Sequence, residues 1–327
     1  MDQVLKKYFS KFSSLRVAVI GDFIADEFIY GETSRISREA PVIVLDFQDR
    51  SLIPGGGGNA AMNASSLGSK VFAVGVVGND MEGQELKNKM FSNKINVNQI
   101  ILDSETITPT KKRILAGGRN TTRQQVIRVD NEKKRDFSEK MESQIIQSIE
   151  NLYEEGLDAI IVSDYGLGVV TEKIRKFIEK ISNEIIVTVD SRWSCLAFKG
   201  LTAITPNEEE VEDAIGFYPN DENLDQAGKE LMKITNSKAV LITRGKKGMS
   251  VFEKGRIRTD VPIFGSDQVA DVTGAGDTVI AAFTLSLASG ASLKESTEIA
   301  SIAAGLVVMK MGTAVVKVDE LIHALEG

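Results

Sequence analysis

The chain has 327 residues, 42% hydrophobic and 26% charged, with a formal net charge of -7. That length allows one large α/β domain with a sizeable core, and the acidic balance argues against nucleic acid or an anionic membrane as a general partner. One cysteine, Cys195, excludes an intramolecular disulfide and a thiolate zinc cluster. One histidine, His323, lies near the end and leaves carboxylates as the candidate general bases.

In chain order, the N-terminal stretch "MDQVLKKYFSKFSSLRVAVIGD" has no apolar region ahead of a cleavage site. No apolar run is long enough to span a bilayer, so a cytoplasmic protein is expected. "RVAVIGD" reads as a buried strand ending in a turn. "EFIYGETSRI" and "PVIVLDFQD" are rich in β-formers. "PGGGGNAAMNASSLG" is a glycine loop entering a small-residue helix, "KVFAVGVVG" a strand and "GQELKNKMFSN" a helix. Residues 110–130 read as a β-hairpin turning at Gly-Gly-Arg-Asn. A regular alternation follows: helix "MESQIIQSIENLYEEG", strand "DAIIVSDYG", helix "TEKIRKFIEKIS", strand "EIIVTVDS", strand "LTAITPN", helix "EEEVEDAIG" and strand "AVLITRG". "MSVFEKGRIRTDVPI" reads as a hairpin. Alternation of this kind implies a mostly parallel central sheet covered by helices on both faces. The segments 27–49 and 110–130 break it and are expected to form a small β-sheet lid on a single domain.

The chemistry concentrates in "DVTGAGDTVIAAFTLSLASG". Asp277 follows Gly274, Ala275 and Gly276 and opens a helix that is apolar on nearly every face, so this carboxylate sits in the core. Glycines before a helix start clear side chains from a place where backbone N–H groups converge, which is how an anion site is built. A base beside an anion site suggests phosphoryl transfer; the same features also fit a buried N-cap aspartate. "SLKE", from Ser292, has the spacing of a capping box for the next helix. Neither a P-loop nor a G-x-G-x-x-G follows any predicted strand.

A Gly-Gly-x-x-Asn loop, "TPNEEE", "TRGKKG" and a late D-x-T-G-A-G-D occur in that order. Together they resemble the ribokinase (PfkB-type) family of sugar kinases over roughly residues 15–320. "GDFIADEFIYGETSRISREAPV", "PGGGGNAAMNASSLG", "SDYG" and "GLVVMKMGTAVV" most resemble the heptose 7-phosphate kinase part of bifunctional heptose kinase/adenylyltransferases. The adenylyltransferase part is expected to be missing. The resemblance implies a ribokinase-like three-layer α/β/α fold, ATP and Mg²⁺ as cofactors and a small-molecule sugar or sugar phosphate as substrate. It also implies a homodimer through the lid sheets.

The resemblance assigns roles by position. Asp277 would be the general base, with the N–H groups of Gly274, Ala275 and Gly276 as anion hole. Asp22, Asp26, Gly56, Gly57, Asn59, Arg113 and Asp164 would bind the sugar. Asn207 and Glu210 would organise Mg²⁺ through water, although their spacing is equally that of a capping box. Thr243, Gly245, Gly248 and Ser301 would hold the nucleotide, and Asp271, Thr273 and Gly312 a monovalent cation such as K⁺. Lys246 and Lys247 read as solvated charges. The chain departs from the heptose kinase pattern at Leu167, where a lysine is usual, at "DSR" (Asp190 to Arg192) in place of Asp-Pro-Lys, and at Ser301. A second phosphate on the substrate needs cations, and Arg192, Lys111, Lys112, Arg113, Arg35 and Arg38 are the candidates. Another sugar or nucleoside, or a silent binding protein on the same fold, remains as an alternative.

Overall fold

The computed structural model describes residues 2–118, 123–265, 272–310, 312 and 314–326. Helix α1 (Asp2–Phe12) opens the chain, with Leu5, Tyr8, Phe9 and Phe12 buried along one helical stripe. Strand β1 (Arg16–Gly21) follows and runs, past Asp22, into β2 (Phe23–Ile36). β3 (Ile43–Gly56) returns into α2 (Gly57–Ser66). Then come β4 (Lys70–Gly78), α3 (Met81–Ser92), β5 (Asn96–Asp103), β6 (Thr110–Gly117) and β7 (Gln124–Asn131). α4 (Glu139–Glu154), β8 (Ala159–Asp164), α5 (Glu172–Ile181), β9 (Ile186–Ser191) and β10 (Ala203–Ile204) continue the alternation. α6 (Glu208–Ile215), α7 (Leu224–Thr235), β11 (Ala239–Thr243), β12 (Met249–Glu253) and β13 (Thr259–Val261) lead to α8 (Ala275–Ala288), α9 (Leu293–Val308) and α10 (Val318–Ala324).

The large sheet has the order β13-β12-β11-β10-β9-β8-β1-β4-β5 and is parallel except where β12 and β13 pair antiparallel. Side chains of β1 alternate between two cores, as the strand period requires. Val17 and Val19 pack with α1, α2, α8 and α9, whereas Ala18 and Ile20 pack with α4, α5 and α7. The result is helix, sheet and helix in layers, the three-layer α/β/α arrangement expected from the sequence. Among the described residues, no helix is long and apolar enough to cross a membrane.

The second sheet, β3-β2-β6-β7, joins the two segments that broke the alternation. β2 pairs antiparallel with β3 and parallel with β6, and β6 pairs antiparallel with β7. The predicted Gly-Gly-Arg-Asn turn falls at residues 117–120, of which 119 and 120 lie outside the described residues. At the root of this sheet Glu27 pairs with both Arg50 and Lys112, which also reach Glu85 and Glu82 of α3. Lys112 is therefore committed to that clamp, on the face opposite to its neighbours Lys111 and Arg113.

α8 and α9 are the buried pair the sequence suggests. Ile280, Phe283 and Leu285 are fully buried, worth about 1.5–3 kcal/mol each. The Ser292/Glu295 capping box forms on both sides. β8, β9 and β11 bring Asp164, Asp190 and Thr243, at their carboxyl ends, to cavities that border the first turn of α8, the usual edge for a site in an open α/β sheet.

Candidate active site

Gly274 has φ 78°, a left-handed conformation that favours glycine, and it caps α8. The turn uses the Ala275 N–H internally, donated to the Val272 carbonyl at 3.2 Å. This N–H is thus withdrawn from the anion hole expected of it, while the first-turn N–H of Gly276 belongs to the groups a helix leaves for a ligand. Asp277 follows, 5% exposed. Its Oδ2 accepts from Asn59 Nδ2 at 2.7 Å, and its Oδ1 from the Tyr165 hydroxyl at 3.4 Å. Asn63 and Thr278 extend the contact between α2 and α8: Thr278 donates to Asn63 Oδ1 at 3.0 Å, and Asn63 Nδ2 to the Asn59 carbonyl at 3.0 Å.

Burial pushes Asp277 from 3.8 up to about 7; the Asn59 hydrogen bond opposes this and the Asp26 charge adds to it. The carboxylate is thus near the neutral range, where a proton acceptor is most useful. The sign for stability follows. Between the unfolded and folded values the folded chain keeps a proton that the unfolded chain releases, so stability falls as pH rises through this window. Asp277→Asn removes the penalty. Its thermal midpoint should gain on wild type as pH rises from about 5 to about 8; a difference independent of pH would contradict the burial argument.

Asp26 lies on β2 beside this carboxylate, 6% exposed, and accepts from Arg113 Nη1 at 2.7 Å. Lys111, on the same face of β6, has its Nζ 2.9 Å from Glu132 and 5.2 Å from the Tyr165 ring centroid. The glycine that makes room for the Asp26 carboxylate is Gly55, where an added Cβ would lie 2.3 Å from Asp26 Oδ2. Gly56 and Gly57 approach the protein's own backbone instead: a Cβ on Gly56 would meet the Asp22 carbonyl at 2.7 Å, and Gly57 N–H donates to it at 2.9 Å. Asp22 is fully buried, its oxygens taken by the N–H groups of Tyr165, Leu167 and Val169. It lies beneath the site and has no face toward a ligand. Asp164 accepts from Ser191 Oγ at 2.8 Å, from Ser194 Oγ and from Gly166 N–H at 3.0 Å. Arg35 and Arg38 are exposed on the β2–β3 hairpin.

Two cavities meet at Val272 and the start of α8. One, of about 500 Å³, is polar and includes Asp164, Asp190, Arg192, Asn207, Glu210 and Gly274 in its lining. Asn207 and Glu210 do form the capping box: Asn207 Oδ1 accepts Glu210 N–H and Glu210 Oε2 accepts Asn207 N–H, each at 2.9 Å. Both still face the cavity. Asp190 was not expected there as a ligand-facing group. Burial, and then the charges of Glu210, Asp277 and Asp164, hold its carboxyl well above the usual range. Among the described residues no three His, Cys, Asp or Glu side chains converge as a metal cage.

The other cavity, of about 330 Å³, is apolar; Thr243, Gly245, Gly248, Phe264, Val279 and Gly305 are in its lining. Ser301 borders it too, with its hydroxyl donated to the Pro262 carbonyl at 2.7 Å. Lys246, expected to be a solvated charge, is exposed and sits at this rim. An apolar slot beside a polar chamber suits a nucleotide base and its phosphates. Of the expected cation ligands, Thr273 and Gly312 are described and Asp271 lies outside the described residues.

The two cavities share Val272 and border the start of α8, one at Gly274 and the other at Ala275 and Gly276, just ahead of Asp277, with Asp26 on the facing side of the small sheet. The three-layer fold with its small attached sheet is that of the ribokinase-like class, and the family to which the chain belongs makes it a carbohydrate kinase. Solved structures of that class superpose on the chain. One is ribokinase from Arabidopsis thaliana complexed with ribose and ATP, with TM-score 0.72, 19% identity, and coverage of 96% of this chain and 98% of that chain. Another is phosphofructokinase-2 from Escherichia coli in complex with potassium, with TM-score 0.76, 19% identity, and coverage of 95% and 98%. The chain belongs to the pfkB family of carbohydrate kinases, whose profile matches residues 14–320. It is 39% identical over 316 residues to the bifunctional protein HldE of Desulfatibacillum aliphaticivorans, covering 95% of this chain and 63% of that protein. With HldE of Geobacter sulfurreducens it shares 35% over 325 residues, covering 98% and 65%. The chain thus spans under two thirds of the length of these relatives.

Proposed function

We propose that the protein transfers the γ-phosphoryl group of ATP to the C1 hydroxyl of D-glycero-D-manno-heptose 7-phosphate. The observation that carries the kinase chemistry is the buried Asp277, oriented by Asn59 directly after Gly276 at the helix start that both cavities border, and pushed up to about 7 by its burial. The heptose assignment is supported by the HldE relatives, 35–39% identical over nearly the whole chain. In this reading Asp277 accepts the proton of the attacking hydroxyl. Asp26 and Asn59 orient the sugar, and the Gly276 N–H receives charge developing on the transferred group. Phosphoryl transfer needs such alignment and charge stabilisation more than covalent help.

The residues around the polar chamber fit a divalent cation. The charges of Glu210 and Asp164 both bear on Asp190 there, and a cation would relieve that repulsion. Mg²⁺ would neutralise charge on the phosphates, held by Glu210 and Asp190 largely through water. Asp271, Thr273 and Gly312 are proposed to hold a monovalent cation such as K⁺ that supports the anion hole.

A panel of acceptors with ATP, read by ADP release, tests the reading. Turnover should be fastest with the heptose 7-phosphate. Faster turnover of an unphosphorylated sugar or a nucleoside overturns the substrate and keeps the kinase; ATP binding without turnover of any acceptor favours a silent binding protein.

The lid is proposed to make a homodimer. Ile127 and Val129 of β7 are about half exposed, and lie on the face that carries Ile29 and Ile114, away from Asp26. Ile36, Ile43 and Phe47 are exposed on the same sheet. Burying such a patch against a second lid stabilises a sheet that is marginal alone. Sedimentation at micromolar concentration should give a dimer, and a fully active monomer would sink the idea.

A further inference from the structure

We propose that Asp22 and Tyr165 are positioning residues for Asp277: Asp22 pins the segment after β8, and that segment holds the Tyr165 hydroxyl against the reacting carboxylate. The inference rests on Asp277 being the base.

Asp22 sits where β1 passes into β2. Its Oδ2 accepts the N–H groups of Tyr165 and Leu167, each at 3.0 Å, and its Oδ1 that of Val169 at 3.3 Å. Every second residue thus turns its N–H inward on one carboxylate. The residues between them, Gly166 and Gly168, have φ 75° and 110°, so alternate glycines supply the left-handed turns that such a winding requires. Arg135 closes the far side. Its N–H donates to the Leu167 carbonyl at 2.9 Å, and its guanidinium lies 4.0 Å from Asp22. A Cβ on Gly168 would come within 2.2 Å of the Arg135 carbonyl oxygen, so the segment has no room to shift outward. Burial pushes Asp22 up to about 6, which means that its charge costs stability at neutral pH. Residues that break such a local rule tend to serve a site.

The served group is Tyr165, the first residue of the winding. Its hydroxyl reaches Asp277 Oδ1, while Asn59 holds Oδ2. Each oxygen of the carboxylate therefore has its own donor, from a different element, and the plane of the base is set. The 3.4 Å contact is long, as catalytic hydrogen bonds often are before substrate tightens them. The other charged groups bearing on Asp277 are Asp26 of β2, Lys111 of β6 and, by its own shift, Asp190 of β9. Of these, Lys111 lies 5.2 Å from the Tyr165 ring centroid, and Tyr165→Phe keeps the ring on which it rests.

The test uses Tyr165→Phe, Asp22→Asn and the double variant, with heptose 7-phosphate and ATP. Tyr165→Phe should lose roughly tenfold in kcat, one hydrogen bond to a charged group. KM for ATP should stay within about twofold. The acid limb of its pH profile should move to higher pH, because a donor that favours the ionised base is gone. Asp22→Asn should show the same split, and the double variant should be no worse than the weaker single. Amide hydrogen exchange at Tyr165, Leu167 and Val169 should be slow in wild type and fast in Asp22→Asn. Full kcat in Tyr165→Phe, additive losses, or unchanged exchange overturns the proposal. If Asp22→Asn does not fold, Tyr165→Phe is placed on Asp277→Asn, where it should cost no further rate; an added loss overturns it. Exchange needs no turnover, so a wild type that phosphorylates no sugar refutes the kinase reading separately, while exchange still decides the pinning.

Discussion

Asp277→Asn should lose about a hundredfold or more in kcat while keeping its fold and its affinity for ATP, the usual scale of general-base loss. The separation of effects follows from the contacts. An amide oxygen can accept the Asn59 Nδ2 hydrogen now given to Oδ2, and the amide nitrogen can donate to the Tyr165 oxygen, whose hydrogen rotates to suit. The side chain therefore keeps its place and loses only its basicity. ATP binding draws on the apolar slot, the polar chamber and backbone N–H groups, none of which is changed. Gly276→Ala is the companion. Its new methyl meets nothing nearer than Asp190 Oδ2 at 3.7 Å, so the fold accepts it and the crowding falls on the phosphoryl group. It should impair turnover with the carboxylate intact. A folded, ATP-binding Asp277→Asn with near wild-type turnover would remove this residue from the mechanism and leave it a buried cap.

The parts of the fold that were legible had a strong period. The alternation from α4 to β11 reads directly as a parallel sheet, and the break at β2–β3 and β6–β7 reads as a separate small sheet. α1 is absent from the predicted elements although its stripe at Leu5, Tyr8, Phe9 and Phe12 is equally clear. β5 and α7 are absent from them as well: "NVNQIILD" mixes polar residues into an edge strand, and Gly228 dilutes the apolar face of α7. In the site, strand alternation alone separates the three candidate cations of β6, with Lys111 and Arg113 on one face and Lys112 on the other. It could not show that Lys111 is paired with Glu132 and Arg113 with Asp26. Tyr165, Asp190 and Gly55 matter through partners far along the chain: Tyr165 and Asp277 are 112 residues apart. Such meetings are products of topology, which a local pattern does not encode. The winding around Asp22 did leave a trace, glycines at every second position of "YGLGV".

Arg113→Ala should raise KM for a phosphorylated sugar about tenfold or more while moving KM for ATP little, since a charge-assisted contact to phosphate is worth about 1.5–3 kcal/mol. Arg113 is on the lid face that carries Asp26, with its guanidinium 5.2 Å from the Phe28 ring centroid. Directly opposite it on β7 is Arg128. Like charges facing each other across a sheet are destabilising unless something anionic is shared. Here each leans on a carboxylate, Arg113 on Asp26 at 2.7 Å and Arg128 on Asp130 at 2.6 Å. A phosphate on the sugar would let both forks turn to it, which planar guanidinium groups do bidentately. Because Arg113 also braces Asp26, the variant should weaken unphosphorylated sugars too, so the ratio decides. Selectivity for the phosphorylated over the unphosphorylated sugar should fall severalfold in Arg113→Ala, and Arg113→Lys should restore only part of it, a point charge replacing a fork. An unchanged ratio would mean that the distal phosphate is read elsewhere, with Arg192 across the polar chamber as the next cation to change.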